Sequence, residues 1–497
     1  MFNKLINSFL VHKLRNSFCI DEKYYTYEQF YKLVFQICHL IKTNKINDEK
    51  LIGIIIQNDI ETYASIVAVW FSGCGFIPLN PSNPVERNVL IFNQSEIKSI
   101  LSSQKNDEID IFSNKISTQF FLTTSETLDK FELFTPPFNE YKIAYLFYTS
   151  GSTGIPKGVP ISFKNLKSFV DSFFDLKITI NENDGFLQMF DLTFDLSVFS
   201  YLIPLCSGAC VFTVSSSAIK YMAVYQLLDK HKITVALMVP SILSFLRSYF
   251  HDIKLTELKY CLFCGEALQL DIVIEWKNCI PNSEIFNVYG PTENTIFCTS
   301  YKLDFSNIKS YNGIVSIGKP MKHVITTIID ENKNILSDNE KGELCLAGEL
   351  LTSAYYKDEQ LNKKSFFIKN NIQHYRTGDI AFTDDDGDLM FCGRADQQVK
   401  IHGFRVELNE IEHLILEHFT DIENVAAIPF QNSLGNTLIW MFIQNYKDDT
   451  LKLFDYLKTK LPDYMIPTGV TVIKTFPLNV NGKVDRKALR NMLNEQK

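Results

Sequence analysis

Tyr148-Thr-Ser-Gly-Ser-Thr-Gly-Ile-Pro-Lys-Gly158 is the stretch on which the fold of this chain turns. Its eleven residues hold three glycines, four Ser/Thr hydroxyls and one lysine. The apolar run Ile143-Ala-Tyr-Leu-Phe-Tyr148 leads into it and Val159-Pro-Ile161 leads out. The pattern reads as strand, tight loop, strand. Glycines let backbone N–H groups close on an anion, hydroxyls add donors, and Lys157 adds positive charge. On composition alone the stretch also reads as a Ser/Gly surface loop. It is not a Walker loop, because Gly158 and an extended segment follow Lys157 where Ser/Thr and a helix are required. Nor is it a nucleophile elbow, because Ser150 stands two residues before Ser152 where glycine is required.

Moving outward, 497 residues exceed what one core supports, so two or more domains are expected. A hydrophobic content of 46% and a charged content of 21% are those of a globular protein. Forty Phe and 22 Tyr supply material for cores and pockets. The net charge of −8, with Lys and Arg scattered, excludes the basic face of a nucleic-acid binder. Eleven cysteines lie dispersed without Cys-x-x-Cys pairs, which points to reduced thiols in a cytoplasmic protein. Cys298, Cys345 and Cys392 fall in strand-like apolar runs and read as structural. The first ten residues lack the long apolar core of a signal peptide. The run Ser65–Phe71 is too short to span a bilayer.

Taken in order, Leu33, Ile37, Leu40 and Ile41 follow helical spacing behind an N-cap near Thr26. Leu51–Ile56 reads as a buried strand, a helix runs to Trp70, and Phe76–Asn80 is a second strand, which makes a βαβ unit. Residues 103–140 are polar and irregular. Asp384-Asp-Asp-Gly-Asp388 reads as a solvated acidic turn, without the spacing of a calcium loop. From 396 the texture changes to a compact α+β domain of ordinary size. Val399–Glu407 is a strand pair around a turn, Leu408–His418 a helix, Leu451–Leu461 a helix, Thr471–Phe476 a strand and Val484–Leu493 a helix. The expected domains are residues 1–395 and 396–497.

Seven further segments stand in a fixed order behind the glycine loop. They are Asn287-Val-Tyr-Gly-Pro-Thr-Glu293, Gly342-Glu-Leu-Cys-Leu-Ala-Gly348, Tyr375-Arg-Thr-Gly-Asp379, Gly393-Arg-Ala-Asp-Gln-Gln-Val-Lys400, Gly403-Phe-Arg-Val-Glu407, Leu461-Pro-Asp-Tyr-Met-Ile-Pro467 and Asn481-Gly-Lys-Val-Asp-Arg486. Each alone is weak. Together they resemble the adenylate-forming enzymes: acyl-CoA synthetases, luciferases and the adenylation domains of peptide synthetases. The resemblance covers nearly the whole chain and is strongest for the amino-acid adenylation branch. It implies a mixed α/β and α+β fold, with a large multi-subdomain N-terminal domain and a small mobile C-terminal domain.

The resemblance also implies the reaction. A carboxylate attacks the α-phosphate of ATP and expels pyrophosphate, a step that needs positioning and charge neutralisation more than a protein nucleophile. By resemblance Thr149, Ser150, Gly151, Ser152, Thr153, Gly154 and Lys157 hold the triphosphate, and Glu293 ligates Mg²⁺. Gly265, Glu266, Ala267, Asn287, Gly290 and Thr292 border the nucleotide, Tyr289 stacks on adenine, and Asp379 accepts the ribose hydroxyls. Lys483, Arg394 and Thr153 are assigned to catalysis, and Asp396 to the hinge. Without the resemblance, Tyr289 reads as a core aromatic, Asp379 as a turn cap and Lys483 as a solvated lysine beside Arg486 and Lys487. His402 and Asn409 depart from the family pattern, which leaves details of the partner open.

Phe194-Asp-Leu-Ser-Val198 bears on the acceptor. In relatives that use amino acids an aspartate here pairs with the substrate ammonium; read alone, Asp195 is a helix N-cap. No Gly-Gly-x-Ser pantetheine site and no His-His-x-x-x-Asp motif occurs, so the expectation is a free-standing ligase that loads a separate phosphopantetheinylated carrier protein. Besides Asp195 and Lys483, the side-chain pocket is expected from Leu196, Phe199, Ser241, Leu262, Cys264, Val288, Ile296 and Phe297. These carry no charge and one hydroxyl, which selects a small or compact apolar amino acid. Phe263-Cys-Gly-Glu266 resembles D-alanine:carrier-protein ligases, while Leu196, Phe199 and Leu262 resemble prolyl ligases. The alternatives are an acyl-CoA or aryl-acid ligase and a silent nucleotide-binding homologue.

Overall fold

Leu51–Ile55 and Gly75–Leu79 are buried along their whole lengths, as strands covered on both faces must be. They pair in parallel from Leu51 opposite Gly75 to Ile55 opposite Leu79. Helix Ile60–Phe71 makes the crossover, with the Asp59 carboxylate accepting the Thr62 N–H at its start. The expected βαβ unit is therefore present. The computed structural model describes residues 1–497 except 45, 47–48, 105–118, 124–138, 152–154, 216–219, 397, 421, 479–483 and 496–497.

Among the described residues, six strands form the sheet that holds this pair, and it ends in Ile143–Thr149 and Lys157–Ser162. A second sheet of nine strands has a parallel centre in which Tyr260–Phe263 lies between Val235–Met238 and Glu284–Tyr289. A third sheet, of five antiparallel strands, carries Val324–Ile329, Gly342–Gly348 and Ile372–Thr383. One apolar cluster joins residues from Met1 to Leu389. Helix Tyr27–Thr43 adds its buried stripe of Phe30, Val34, Ile37 and Ile41, entered through a capping box between Thr26 and Gln29.

After Arg394 comes a smaller α+β domain. It contains the hairpin Gln398–Ile401 with Phe404–Glu407, helices Leu408–His418, Leu451–Lys460 and Arg486–Glu495, and a sheet of Val425–Gln431, Thr437–Gln444 and Gly469–Ile473. Its apolar clusters draw on residues from Ile401 to Leu493. The architecture is the mixed α/β and α+β one expected, a large N-terminal domain and a small C-terminal one.

Three sequence expectations shift. The strand placed at Thr471–Phe476 runs Gly469–Ile473, and the last helix begins at Arg486 rather than Val484. The acidic turn does close a hairpin, but it is not merely solvated: Lys309 Nζ lies 2.9, 2.7 and 2.6 Å from Asp384, Asp386 and Asp388. Much of the irregular region 103–140 lies outside the described residues. Among the described residues no helix is long and apolar enough to cross a membrane.

Candidate active site

The glycine loop joins two antiparallel strands, with Thr149 opposite Lys157 and Tyr148 opposite Gly158. Register therefore returns Lys157 to the start of the loop. Gly151 is required here, since an added Cβ would stand 2.0 Å from the Ile155 carbonyl oxygen. Ser152, Thr153 and Gly154 lie outside the described residues.

The described part of the loop is engaged by the small domain. Ser150 Oγ donates to the Arg405 carbonyl at 2.7 Å and accepts the Glu407 N–H at 3.1 Å. Gly151 N–H points at Glu410 Oε2, 3.3 Å away, and Lys157 Nζ lies 3.4 Å from Glu407 Oε1. Burial lowers the Lys157 ammonium to about 8 despite its carboxylate neighbours. Glu410 is in turn held by Arg87 at 3.0 Å in a buried pair.

Glu293 is fully buried and both its oxygens accept from Arg405 Nη1 at 2.8 Å. The Tyr355 hydroxyl donates to the same carboxylate at 2.5 Å. Burial alone would raise the Glu293 carboxyl; Arg405 and Lys157 overcome it and bring it down to about 2. With the small domain seated, Glu293, the expected magnesium ligand, is engaged by the Arg405 guanidinium. Among the described residues no group of three or more His, Cys, Asp or Glu gathers to hold a metal ion.

The nucleotide residues come together. Gly265, Glu266, Ala267, Asn287, Tyr289, Gly290, Asp379 and Arg394 line one cavity of about 90 Å³ at the carboxyl ends of the parallel strands, where open α/β sheets place ligands. Tyr289 donates to Asp379 Oδ2 at 2.5 Å, and Arg394 pairs with Asp379 Oδ1. Arg394 also donates to Asp396 at 2.7 and 2.8 Å, which ties the site to the domain junction. Asn287 borders the cavity but commits its amide to the carbonyls of Val315 and Ser316. Thr292 lies instead in the neighbouring acyl cavity. Glu266 links the domains by accepting the Ser241 N–H and the Gly403 N–H, both at 2.8 Å.

That acyl cavity, of about 50 Å³, is lined by Asp195, Leu196, Cys264 and Ile296 together with Phe194, Thr292 and Lys400. Asp195 opens helix Leu196–Ser207 but makes no capping bond, which removes the N-cap reading. It is 3% exposed, and among the described residues its Oδ2 has no hydrogen-bond partner. Burial raises its carboxyl to about 7, against the pull of Lys400 and Thr292. Burial pushes the Cys264 thiol up to about 12.

Other pocket expectations need correction. Val288 borders the nucleotide cavity, and Ser241 borders a separate apolar cavity. Phe199, Leu262 and Phe297 are fully buried and line neither the acyl nor the nucleotide cavity. Phe199 and Phe297 pack on each other, ring centres 5.5 Å apart, and on Phe173 and Phe169. Lys483 lies outside the described residues.

Two residues were missed. Lys400 reaches the acyl cavity, and burial lowers its ammonium. The alternation of the hairpin held the signal, since Ile401 and Val399 face the small-domain core and Lys400 must face away. Phe404 stacks on Tyr464 at 4.0 Å and approaches Phe194 at 5.4 Å. The hairpin turns through His402 and Gly403, both at positive φ, and a Cβ at 403 would lie 2.5 Å from Val239.

The family described as AMP-binding enzyme matches residues 11–356. The chain belongs to this AMP-binding enzyme family. The general chemistry of the family is ATP-dependent adenylation. Tyrocidine synthase 3 of Brevibacillus parabrevis is 31% identical over 481 residues, which are 94% of this chain and 7% of that protein. The chain thus spans a small fraction of such synthetases. It spans 95% of the D-alanine--D-alanyl carrier protein ligase of Bacillus licheniformis, with which it is 29% identical over 489 residues and which covers 95% of this chain. Among solved structures, the Vibrio cholerae adenylation domain AlmE, in complex with glycyl-adenosine-5'-phosphate, superposes with a TM-score of 0.87 at 25% identity, covering 100% of this chain and 98% of its own. PA1221, a protein containing adenylation and PCP domains, shares the fold with a TM-score of 0.85 at 21% identity, over 98% of this chain and 83% of that one.

Proposed function

We propose that this AMP-binding enzyme activates an amino acid as its aminoacyl adenylate and passes it to the phosphopantetheine thiol of a separate carrier protein. The observation that carries the proposal is Asp195, a buried carboxylate with one oxygen lacking a partner in the acyl cavity. An unpaired buried acid is costly, and a substrate ammonium supplies its missing donor and charge. The names of relatives support the same direction: one is a carrier protein ligase, and one was crystallised with an aminoacyl adenylate.

In this reading Asp379 takes the ribose hydroxyls, Tyr289 lies against adenine, and Arg394 orients Asp379. Lys157 and the loop N–H groups receive phosphate when the small domain has withdrawn. Lys483 neutralises the attacking carboxylate and the α-phosphate as charge builds up between them. In transfer, the thiol sulfur bonds to the acyl carbon, the carbon–oxygen bond to AMP breaks, and the thiol proton leaves. An apolar cavity of about 320 Å³ shares Phe194 and Phe404 with the acyl cavity and is lined also by Phe190, Tyr221, Phe245 and His402. Asp191 and Lys220 also border it, and its otherwise largely apolar walls suit an uncharged acceptor arm. Asp396, paired with Arg394 at the junction, is the proposed hinge.

ATP–pyrophosphate exchange against the twenty amino acids and D-alanine tests the reading. Exchange is expected with an amino acid and not with the matching acid that lacks the amine. Equal exchange with amine-free acids would replace the reading by an acyl- or aryl-acid ligase.

A further inference from the structure

We propose that Tyr355 is a positioning residue of the phosphate site, a spacer that holds Lys157 on its ring and Glu293 on its hydroxyl and keeps the two charges from closing on each other when the small domain withdraws; the inference rests on the phosphate reading of the glycine loop above. Tyr355 stands outside every motif that carries the resemblance. The chain around it is a seam. Thr352 donates its N–H to the Glu293 carbonyl at 2.8 Å and its hydroxyl to the Pro160 carbonyl at 2.5 Å. Tyr356 donates its N–H to the Gly158 carbonyl at 2.8 Å. The turn that carries Glu293 is thereby stitched to the strand that carries Lys157.

Within this seam Tyr355 is 3% exposed. Asn362 fixes its backbone, accepting the Tyr355 N–H at 2.6 Å and donating to its carbonyl at 3.0 Å. Phe366 and Tyr375 meet its ring edge-on, with centres 5.6 and 6.4 Å away. Lys157 Nζ lies over the ring, 5.6 Å from its centre and within cation–π range. The hydroxyl donates to Glu293 Oε1 at 2.5 Å. A phenol has one proton, so the remaining directions follow: Tyr375 donates to Tyr355 at 3.1 Å, and Arg405 donates to Tyr375 at 3.3 Å.

Lys157 and Glu293 act on each other's charge, yet each is paired elsewhere, Lys157 with Glu407 at 3.4 Å and Glu293 with Arg405 at 2.8 Å. Both partners belong to the small domain. Once they leave, a buried ammonium and a buried carboxylate remain within reach of each other. A direct pair between them would consume the cation that phosphate needs. Tyr355 belongs to the large domain and stays with both.

Calorimetry with inorganic pyrophosphate and with AMP, in buffer free of divalent cations, is the test. Tyr355→Phe keeps the ring and loses the hydroxyl, and should weaken pyrophosphate binding about three- to tenfold. Tyr355→Leu loses both contacts and should weaken it about ten- to hundredfold. AMP affinity should hold in both, because Tyr355 does not line the nucleotide cavity. Glu293→Gln removes the charge that Lys157 would close on. Its gain in pyrophosphate affinity should be about fivefold larger in the Tyr355→Leu background than in wild type. Equal gains in the two backgrounds overturn the spacer and leave the phosphate reading standing. Equal losses of AMP and pyrophosphate binding in Tyr355→Leu make the residue merely structural and overturn its role. A wild-type enzyme that binds AMP but no pyrophosphate overturns the phosphate reading, and this inference with it.

Discussion

Lys157 and Asp195 are treated differently by the small domain. Lys157 has a carboxylate, Glu407, at 3.4 Å, and the neighbouring Ser150 and Gly151 also meet small-domain atoms. Asp195 has Lys400 in its cavity, yet one of its oxygens remains without a partner. At the phosphate end the loop's N–H, hydroxyl and ammonium are matched by Glu407 and Glu410, and Glu293 is matched by Arg405. At the acyl and nucleoside end, cavities remain. On the proposed function, a triphosphate would have to displace these groups, and this seating of the small domain suits the state after pyrophosphate has left.

The largest effect that sharpens this contrast is expected from Lys483→Ala. Losing a cation that stabilises developing charge should lower exchange by about a hundredfold or more. Transfer from a supplied aminoacyl adenylate should be largely spared, because the seating seen here serves that step. If both half-reactions fall together, measured by exchange and by carrier loading, the division of labour fails.

Asp195→Asn should raise the KM for the amino acid by about 1.5–3 kcal/mol, roughly ten- to hundredfold. The wild-type pH profile carries the same information. Because burial raises this carboxyl to about 7, it is neutral below that pH and charged above it, and only the charged form pairs with an ammonium. The kcat/KM for the amino acid should therefore climb as pH rises through about 7, and this limb should vanish in Asp195→Asn. A profile unchanged by the substitution would place the titrating group elsewhere.

The smallest effect is expected from Glu407→Gln. Weakening the carboxylate on Lys157 should tighten pyrophosphate binding about three- to tenfold, near 1 kcal/mol, with AMP affinity unchanged. Calorimetry with each ligand decides. Parallel shifts for both ligands would mean that the two ends of the site are not independent.

The glycine loop, Tyr289, Asp379 and Arg394 were legible because each motif is local and their order along the chain is informative. The loop's hairpin register, with Thr149 opposite Lys157, follows directly from the two apolar runs around it. The pairing of Arg405 with Glu293 was not legible, since it joins residues 112 apart in sequence and depends on how one domain seats on the other. Cavity lining was hidden for a different reason. Counting along motifs names Phe199 and Phe297, but only packing reveals that their rings meet each other and line neither cavity. Lys400 is marked only by the strand period, which turns it away from the core that Val399 and Ile401 face.

Glu407 and Glu410 are attached to the loop they occupy through the chain itself. Tethered groups act at an effective concentration set by the linkage, on the order of millimolar for a short flexible connection. Diluting the enzyme therefore leaves the loop as full as before. The seating is thus indifferent to how much enzyme is present, and on the proposed function pyrophosphate has to outcompete these tethered carboxylates.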